Sequence, residues 1–154
     1  MATILMPIPS RDFDLCETGV PWRVLSTRGH HVVFATPDGE PGAADERVVS
    51  GRGLGPLAAV LRADRNGRAA CDAMIASREF QQPLTYQAAV EQPFDALLLP
   101  GGHAKGMRPY LESALLQHAV LAFFAVGKPV AAICHGVLLA ARALTPTGRS
   151  ASWP

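Results

Sequence analysis

Cys134 lies in the run Val130-Ala131-Ala132-Ile133-Cys134-His135-Gly136, where an apolar strand pattern passes without a spacer into a small-residue helix pattern. A strand that turns directly into a helix forces the residue between them into a strained backbone conformation. Ala132 and Gly136, two before and two after the cysteine, are small enough to relieve the crowding. Such a turn projects the thiol above the sheet edge. It also sets the free N–H groups and positive dipole end of the following helix beside the sulfur. That environment is expected to lower the thiol pKa and favour the thiolate nucleophile. The competing reading is a cysteine that fills a small hole as a hydrophobe. His135 is adjacent and can act as a base if its ring folds back beside the sulfur, or it can face solvent at the helix start.

Two further segments offer partners. In Pro100-Gly101-Gly102-His103 the glycines allow close backbone approach, and their N–H groups suit a developing negative charge, with the His135 N–H as second donor. His103 could line such a site. Glu17 opens a helix, where the macrodipole favours a carboxylate in any case. Placed beside Cys134, its pKa would rise through desolvation and the neighbouring thiolate, keeping it protonated as a donor. His30-His31 suggests a metal at first sight, but adjacent residues entering a strand point to opposite faces, so no metal is expected. Cys16 and Cys71 have no comparable turn and read as structural.

The elements that must position these groups follow from the apolar pattern. Thr3 to Ile8, Val32 to Ala35, Ala96 to Leu99 and Val130 to Ile133 read as buried strands. Glu17 to Arg28, Leu57 to Ser77 (divided at Asn66-Gly67), Ser113 to Val126 and Gly136 to Leu144 read as helices. Glu40 to Gly55 looks like an excursion from the core, and Phe80 to Pro93 reads as irregular. Continuous apolar strands alternating with helices indicate a parallel sheet covered on both faces, with ligands bound outside the carboxyl ends of the strands. The Glu17 loop, Gly101-Gly102-His103 and Cys134-His135-Gly136 all fall at those ends.

Composition excludes other classes. With 154 residues, 49% apolar and 18% charged, the chain is expected to form one globular domain. A formal charge of +1 carries no electrostatic footprint for nucleic acid. The most apolar run, Ala119 to Val126, is far short of the roughly 20 residues of a membrane span. Three cysteines at unrelated spacings and no leader-like amino terminus point to a reducing cytoplasm.

Asp95-Ala-Leu-Leu-Leu-Pro-Gly-Gly-His103 followed by Ala132-Ile-Cys-His-Gly136 closely resembles the ThiJ/PfpI family, part of the class I glutamine amidotransferase-like superfamily. Glu17-Thr-Gly-Val-Pro-Trp22, Gly29-His30 and Phe34-Ala-Thr-Pro-Asp-Gly39 resemble its first third. The likeness is nearest the branch with a histidine after the paired glycines, which includes heat-shock-inducible chaperones with glyoxalase activity. It implies a flavodoxin-like three-layer α/β/α sandwich with a mostly parallel sheet and a nucleophile elbow, usually homodimeric. Cys134 would be the nucleophile, Glu17 its hydrogen-bonding partner and His135 the adjacent base. Gly102 and the His135 backbone would form the oxyanion site.

The expected function is therefore a cofactor-independent, cysteine-dependent enzyme acting on small aldehydes, as a glyoxalase-like lyase, or on amides. A non-catalytic stress-response chaperone or redox sensor using the same cysteine is the alternative. A glutaminase subunit is weaker, because the wider superfamily uses a His-x-Glu pair downstream and none follows Cys134. Family members continue past the elbow helix with further strands and a last helix. Thr147-Gly-Arg-Ser150 begins such a continuation before Pro154, so a single domain over 1–154 lacking those elements is expected.

Overall fold

A computed structural model of the chain describes residues 1–45, 65–144 and 148. Five strands, β1 (Thr3–Pro7), β3 (His31–Thr36), β5 (Leu84–Thr85), β6 (Ala96–Leu99) and β7 (Val130–Ala132), form one parallel sheet in the order β5-β3-β1-β6-β7. Their apolar runs become the core: Leu5, Met6, Phe34, Leu97 and Leu99 are all fully buried. Each contributes about 1.5–3 kcal/mol through burial.

From β1 the chain steps outward one way to β3, and from β6 the other way to β7. Right-handed crossovers therefore place the connecting helices on opposite faces. Helix α1 (Leu15–Thr27) packs against β3 and against α2 (Arg65–Ile75), while α6 (Ala114–Ala125), which follows the short α5 (Arg108–Leu111), packs against β6 and β7 and against α7 (Gly136–Arg142). The reversal of direction lies between β1 and β6, and a crevice at such a reversal is where parallel sheets take ligands.

Two short helices and a strand occupy the segment expected to be irregular. They are α3 (Arg78–Gln81), β5 and α4 (Tyr86–Val90). Ser77 and Thr85 are the caps, their hydroxyls accepting from the Phe80 and Ala88 N–H groups, and these side-chain caps give order to a stretch without apolar periodicity. Helix α2 begins at Arg65, beside the expected division at Asn66-Gly67, and the first part of that helical stretch falls outside the described residues. The stretch 57–64, and 46–55 of the excursion, lie outside the described residues. Ahead of α1, β2 (Arg11–Phe13) pairs with β4 (Ala43–Ala44) in a second, two-stranded parallel sheet that the apolar pattern did not reveal.

Beside α1, an apolar groove of about 300 Å³ runs along β6 and β7 among the described residues, lined by Ile4, Val24, Leu25, Leu98 and Val130 among others. No helix of the described residues is long and apolar enough to cross a membrane.

Candidate active site

The turn between β7 and α7 has the backbone its sequence requires. Cys134 has φ +50°, in the left-handed region that non-glycine residues seldom adopt. The Gly136 N–H donates to the Ile133 carbonyl at 2.8 Å, closing the turn around the cysteine. A Cβ on Gly136 would overlap the Leu99 carbonyl oxygen of the neighbouring strand, so only glycine lets α7 start this close to β6.

Glu17 reaches the same place from α1. Asp14 caps that helix, its Oδ1 accepting from the N–H groups of Cys16 (2.8 Å) and Glu17 (3.0 Å). This cap starts the helix two residues earlier than the apolar spacing indicated. The Gly101 N–H donates to Glu17 Oε2 at 3.1 Å, and the Gly101 carbonyl accepts from the Asp14 N–H at 3.0 Å. A Cβ on Gly101 would stand 2.7 Å from Glu17 Oε2 and 2.8 Å from the His135 nitrogen, so this glycine is the floor on which the groups converge. Below it, the buried Tyr110 hydroxyl donates to the Pro100 carbonyl at 3.1 Å and holds the loop.

Cys134, His135 and Glu17 are thus in contact. The Cys134 sulfur lies 3.3 Å from His135 Nδ1 and shares a hydrogen bond with the Glu17 carboxyl group. The thiol is exposed, while Glu17 is half-buried. Desolvation raises the Glu17 pKa and Asp14 adds to the effect, opposed by the hydrogen bonds from Cys134 and the Gly101 N–H. The Cys134 thiol is also pushed up, by desolvation and by its hydrogen bond to Glu17, against the pull of the His135 backbone N–H. The sign is opposite to the one expected from the helix start: α7 has only seven residues, and a carboxylate touches the sulfur. Each group therefore keeps its proton to higher pH than it would when free, and His135 Nδ1 is placed to accept the one on sulfur.

The other expected residues are arranged differently. The Gly101 N–H is committed to Glu17, and the His135 N–H is directed at the sulfur. Gly102 is buried with φ +152°, and its N–H enters no described hydrogen bond. His103 is exposed and faces Asp45 at 3.9 Å, with no described contact to Cys134. Among the described residues no three His, Cys, Asp or Glu side chains are grouped to hold a metal ion.

Asp12 and Asp14 were not foreseen. Asp12 adopts φ +70° and its Oδ2 accepts from the Gly106 N–H at 2.8 Å, tying β2 to the 3₁₀ turn Lys105–Met107 behind the glycine loop. Asp14 was legible as the first residue of Asp-x-x-Glu, a helix-start pattern.

A parallel α/β sheet carrying a thiol on a strand-to-helix elbow, backed by a carboxyl group and an imidazole, defines a class of proteins built around one cysteine. The sequence matches the model of a family described as ThiJ/PfpI family-like over residues 8–152, and the chain belongs to that family. Among solved structures it is similar to the Rapid Encystment Protein 24 KDa of Francisella tularensis. That match has a TM-score of 0.75 at 19% identity, covering 97% of this chain and 66% of that one. It is similar also to glyoxalase III of Candida albicans, with a TM-score of 0.68 and 20% identity over 97% of this chain and 64% of that one. Drosophila melanogaster DJ-1beta matches with a TM-score of 0.61 and 20% identity over 92% of this chain and 60% of that one. The chain therefore spans less than two thirds of the length of these structures, and at such identities the likeness is one of fold. No curated protein sequence matches the chain.

Proposed function

We propose that the chain is a cofactor-independent, cysteine-dependent enzyme acting on small aldehydes in the glyoxalase manner. It would work as a homodimer in the cytoplasm. The observation that carries this reading is the exposed Cys134 sulfur held between Glu17 and His135 Nδ1 at 3.3 Å. A nucleophile with a base in reach is the minimum for addition to a carbonyl. The likeness to glyoxalase III supports it.

For a 2-oxoaldehyde, His135 takes the thiol proton as sulfur bonds to the aldehyde carbon, and the carbonyl oxygen, met by the Gly102 N–H, becomes the hydroxyl of a hemithioacetal. Moving the proton on that carbon to the neighbouring carbonyl carbon, through an enediol, oxidises the first and reduces the second. The result is a 2-hydroxy thioester. Water then releases the 2-hydroxy acid and restores the thiol. No external electron carrier enters, and Glu17, half-buried and pushed toward its protonated form, is the group that can supply a proton beside the sulfur.

The test is release of lactate from methylglyoxal without added glutathione. Turnover should vanish in Cys134→Ala and after thiol alkylation. Turnover surviving in Cys134→Ala would sink the reading.

A further inference from the structure

Cys16 and Cys71 read as unrelated structural cysteines in the sequence, but the fold brings them together. Helices α1 and α2 cross at Gly19, where an added Cβ would lie 2.9 Å from the Cys71 sulfur and 3.0 Å from its Cα. From that crossing the Cys71 thiol turns toward the start of α1 and donates to the Leu15 carbonyl at 3.2 Å. Cys16 is the next residue and lies one helical turn before Gly19. Its side chain shares a hydrogen bond with the Cys71 thiol. Cys71 is buried, whereas Cys16 is only partly covered.

We propose that Cys16 and Cys71 are a redox pair, closing under hydroperoxide into an intrachain disulfide that clasps α1 to α2 beside Glu17. The clasp is independent of any turnover at Cys134. Cys16, the accessible partner, attacks the outer peroxide oxygen. The O–O bond breaks, the alcohol (or water) leaves, and Cys16 becomes a sulfenic acid. The Cys71 sulfur then attacks the Cys16 sulfur. The S–S bond forms, the S–O bond breaks, and the Cys71 proton leaves with the hydroxyl as water. Two thiols are oxidised by two electrons and one peroxide is reduced.

The order of events follows from the surroundings. Burial first, and the adjacent Cys16 second, push the Cys71 thiol up to about 12. It is therefore a poor first target for peroxide, and it acts as the resolving thiol because its partner is already in contact. The disulfide would join the turn of α1 that carries Glu17, so its formation is expected to be felt at Cys134.

The full chain is treated with hydrogen peroxide, unfolded in an alkylating agent, digested without reductant and read by mass spectrometry. The expected product is a peptide pair joined through Cys16 and Cys71 that dithiothreitol separates. Cys134→Ala should leave the pair intact, and Cys71→Ala should trap Cys16 as a dimedone adduct with yield at least severalfold above wild type. Recovery of both cysteines as free thiols from oxidised wild-type protein would overturn the proposal. So would a link from Cys16 to Cys134 or between two copies. Because the deciding measurement is made on the wild type, a variant that fails to fold does not decide it.

Discussion

At the strand-to-helix turn the Cys134 sulfur stands exposed between a carboxyl group and an imidazole. At the α1–α2 crossing the Cys71 sulfur is covered and donates to a backbone carbonyl. Both regions depend on a glycine. Gly136 admits the Leu99 carbonyl at the turn, and Gly19 admits Cys71 at the crossing. Both thiols are pushed upward by burial first, but the second cause for Cys71 is another thiol, Cys16, whereas for Cys134 it is the Glu17 carboxyl group, which shares the proton beside a histidine that can remove it. The difference teaches that a raised thiol pKa alone does not separate a thiol that only a neighbour can reach from one that can meet a substrate. Access and a base within reach do.

The largest expected contrast is chemical. With its thiol near 12, only about 10⁻⁵ of Cys71 is thiolate at pH 7, and solvent access is closed as well. A timed pulse of iodoacetamide on the reduced native protein, read by peptide mass spectrometry, should label Cys134 at least about a thousandfold faster than Cys71, with Cys16 between them. Comparable labelling of Cys134 and Cys71 would erase the distinction between the two regions.

The glycines come next. Gly136→Ala drives a Cβ into backbone that belongs to the adjacent strand and cannot move aside without parting β6 from α7. A loss of about 3 kcal/mol or more is expected from urea denaturation, at or beyond the upper end for overpacking. Gly19→Ala meets the Cys71 sulfur and backbone at 2.9–3.0 Å. That crowding is partly offset by about 1 kcal/mol of helix propensity, so its net loss should be clearly smaller, about 1–2 kcal/mol. The reverse order would mean that the helix crossing, and not the elbow, is the more tightly constrained region.

Much of this contrast was legible in the residues. The elbow announced itself because a β-branched strand, a cysteine and a glycine followed one another with no room for a loop, and the positive φ of Cys134 is the consequence. The β6 strand was bounded correctly by its four apolar residues and the Pro-Gly-Gly stop. What escaped was held by polar side chains acting on backbone. The Ser77 and Thr85 caps organise 78–90, and the Asp14 cap sets the start of α1. Apolar periodicity is blind to such bonds. The approach of Cys16 to Cys71 depends on how two helices cross, which spacing along the chain does not encode. The direction of the Cys134 shift escaped for a related reason: a helix start favours the thiolate, but desolvation first and the Glu17 carboxyl group brought in from α1 second oppose it.

Glu17→Gln sharpens that last point. The amide can still accept from the Gly101 N–H, but it removes the negative charge and offers a donor to the sulfur. The pH midpoint for alkylation of Cys134 should therefore fall. An unchanged midpoint would show that Glu17 does not govern the thiol. Stability carries a matching sign. The folded-state pKa of Glu17 is raised from 4.5, so the folded chain holds this proton more tightly than the unfolded one. The resulting stabilisation is complete below the unfolded value and is lost as pH rises through the folded value. Relative to wild type, Glu17→Gln should gain stability across that window, with no further relative gain above it. A difference that moves the other way would mean that the ionised carboxylate is the form the fold prefers.

The smallest effect separates cap from charge at the same helix start. Asp14→Ala removes the acceptor for the Cys16 and Glu17 N–H groups and should cost about 1 kcal/mol in urea denaturation. Asp14→Asn keeps an acceptor of the same shape and should be nearly neutral in stability. Because the Asp14 charge contributes to raising both Glu17 and Cys134, both variants should lower the alkylation midpoint of Cys134 slightly, and by less than Glu17→Gln does. If Asp14→Ala shifts the midpoint while Asp14→Asn does not, the residue acts on the thiol by positioning Glu17. If both shift it equally, it acts on the thiol through its charge.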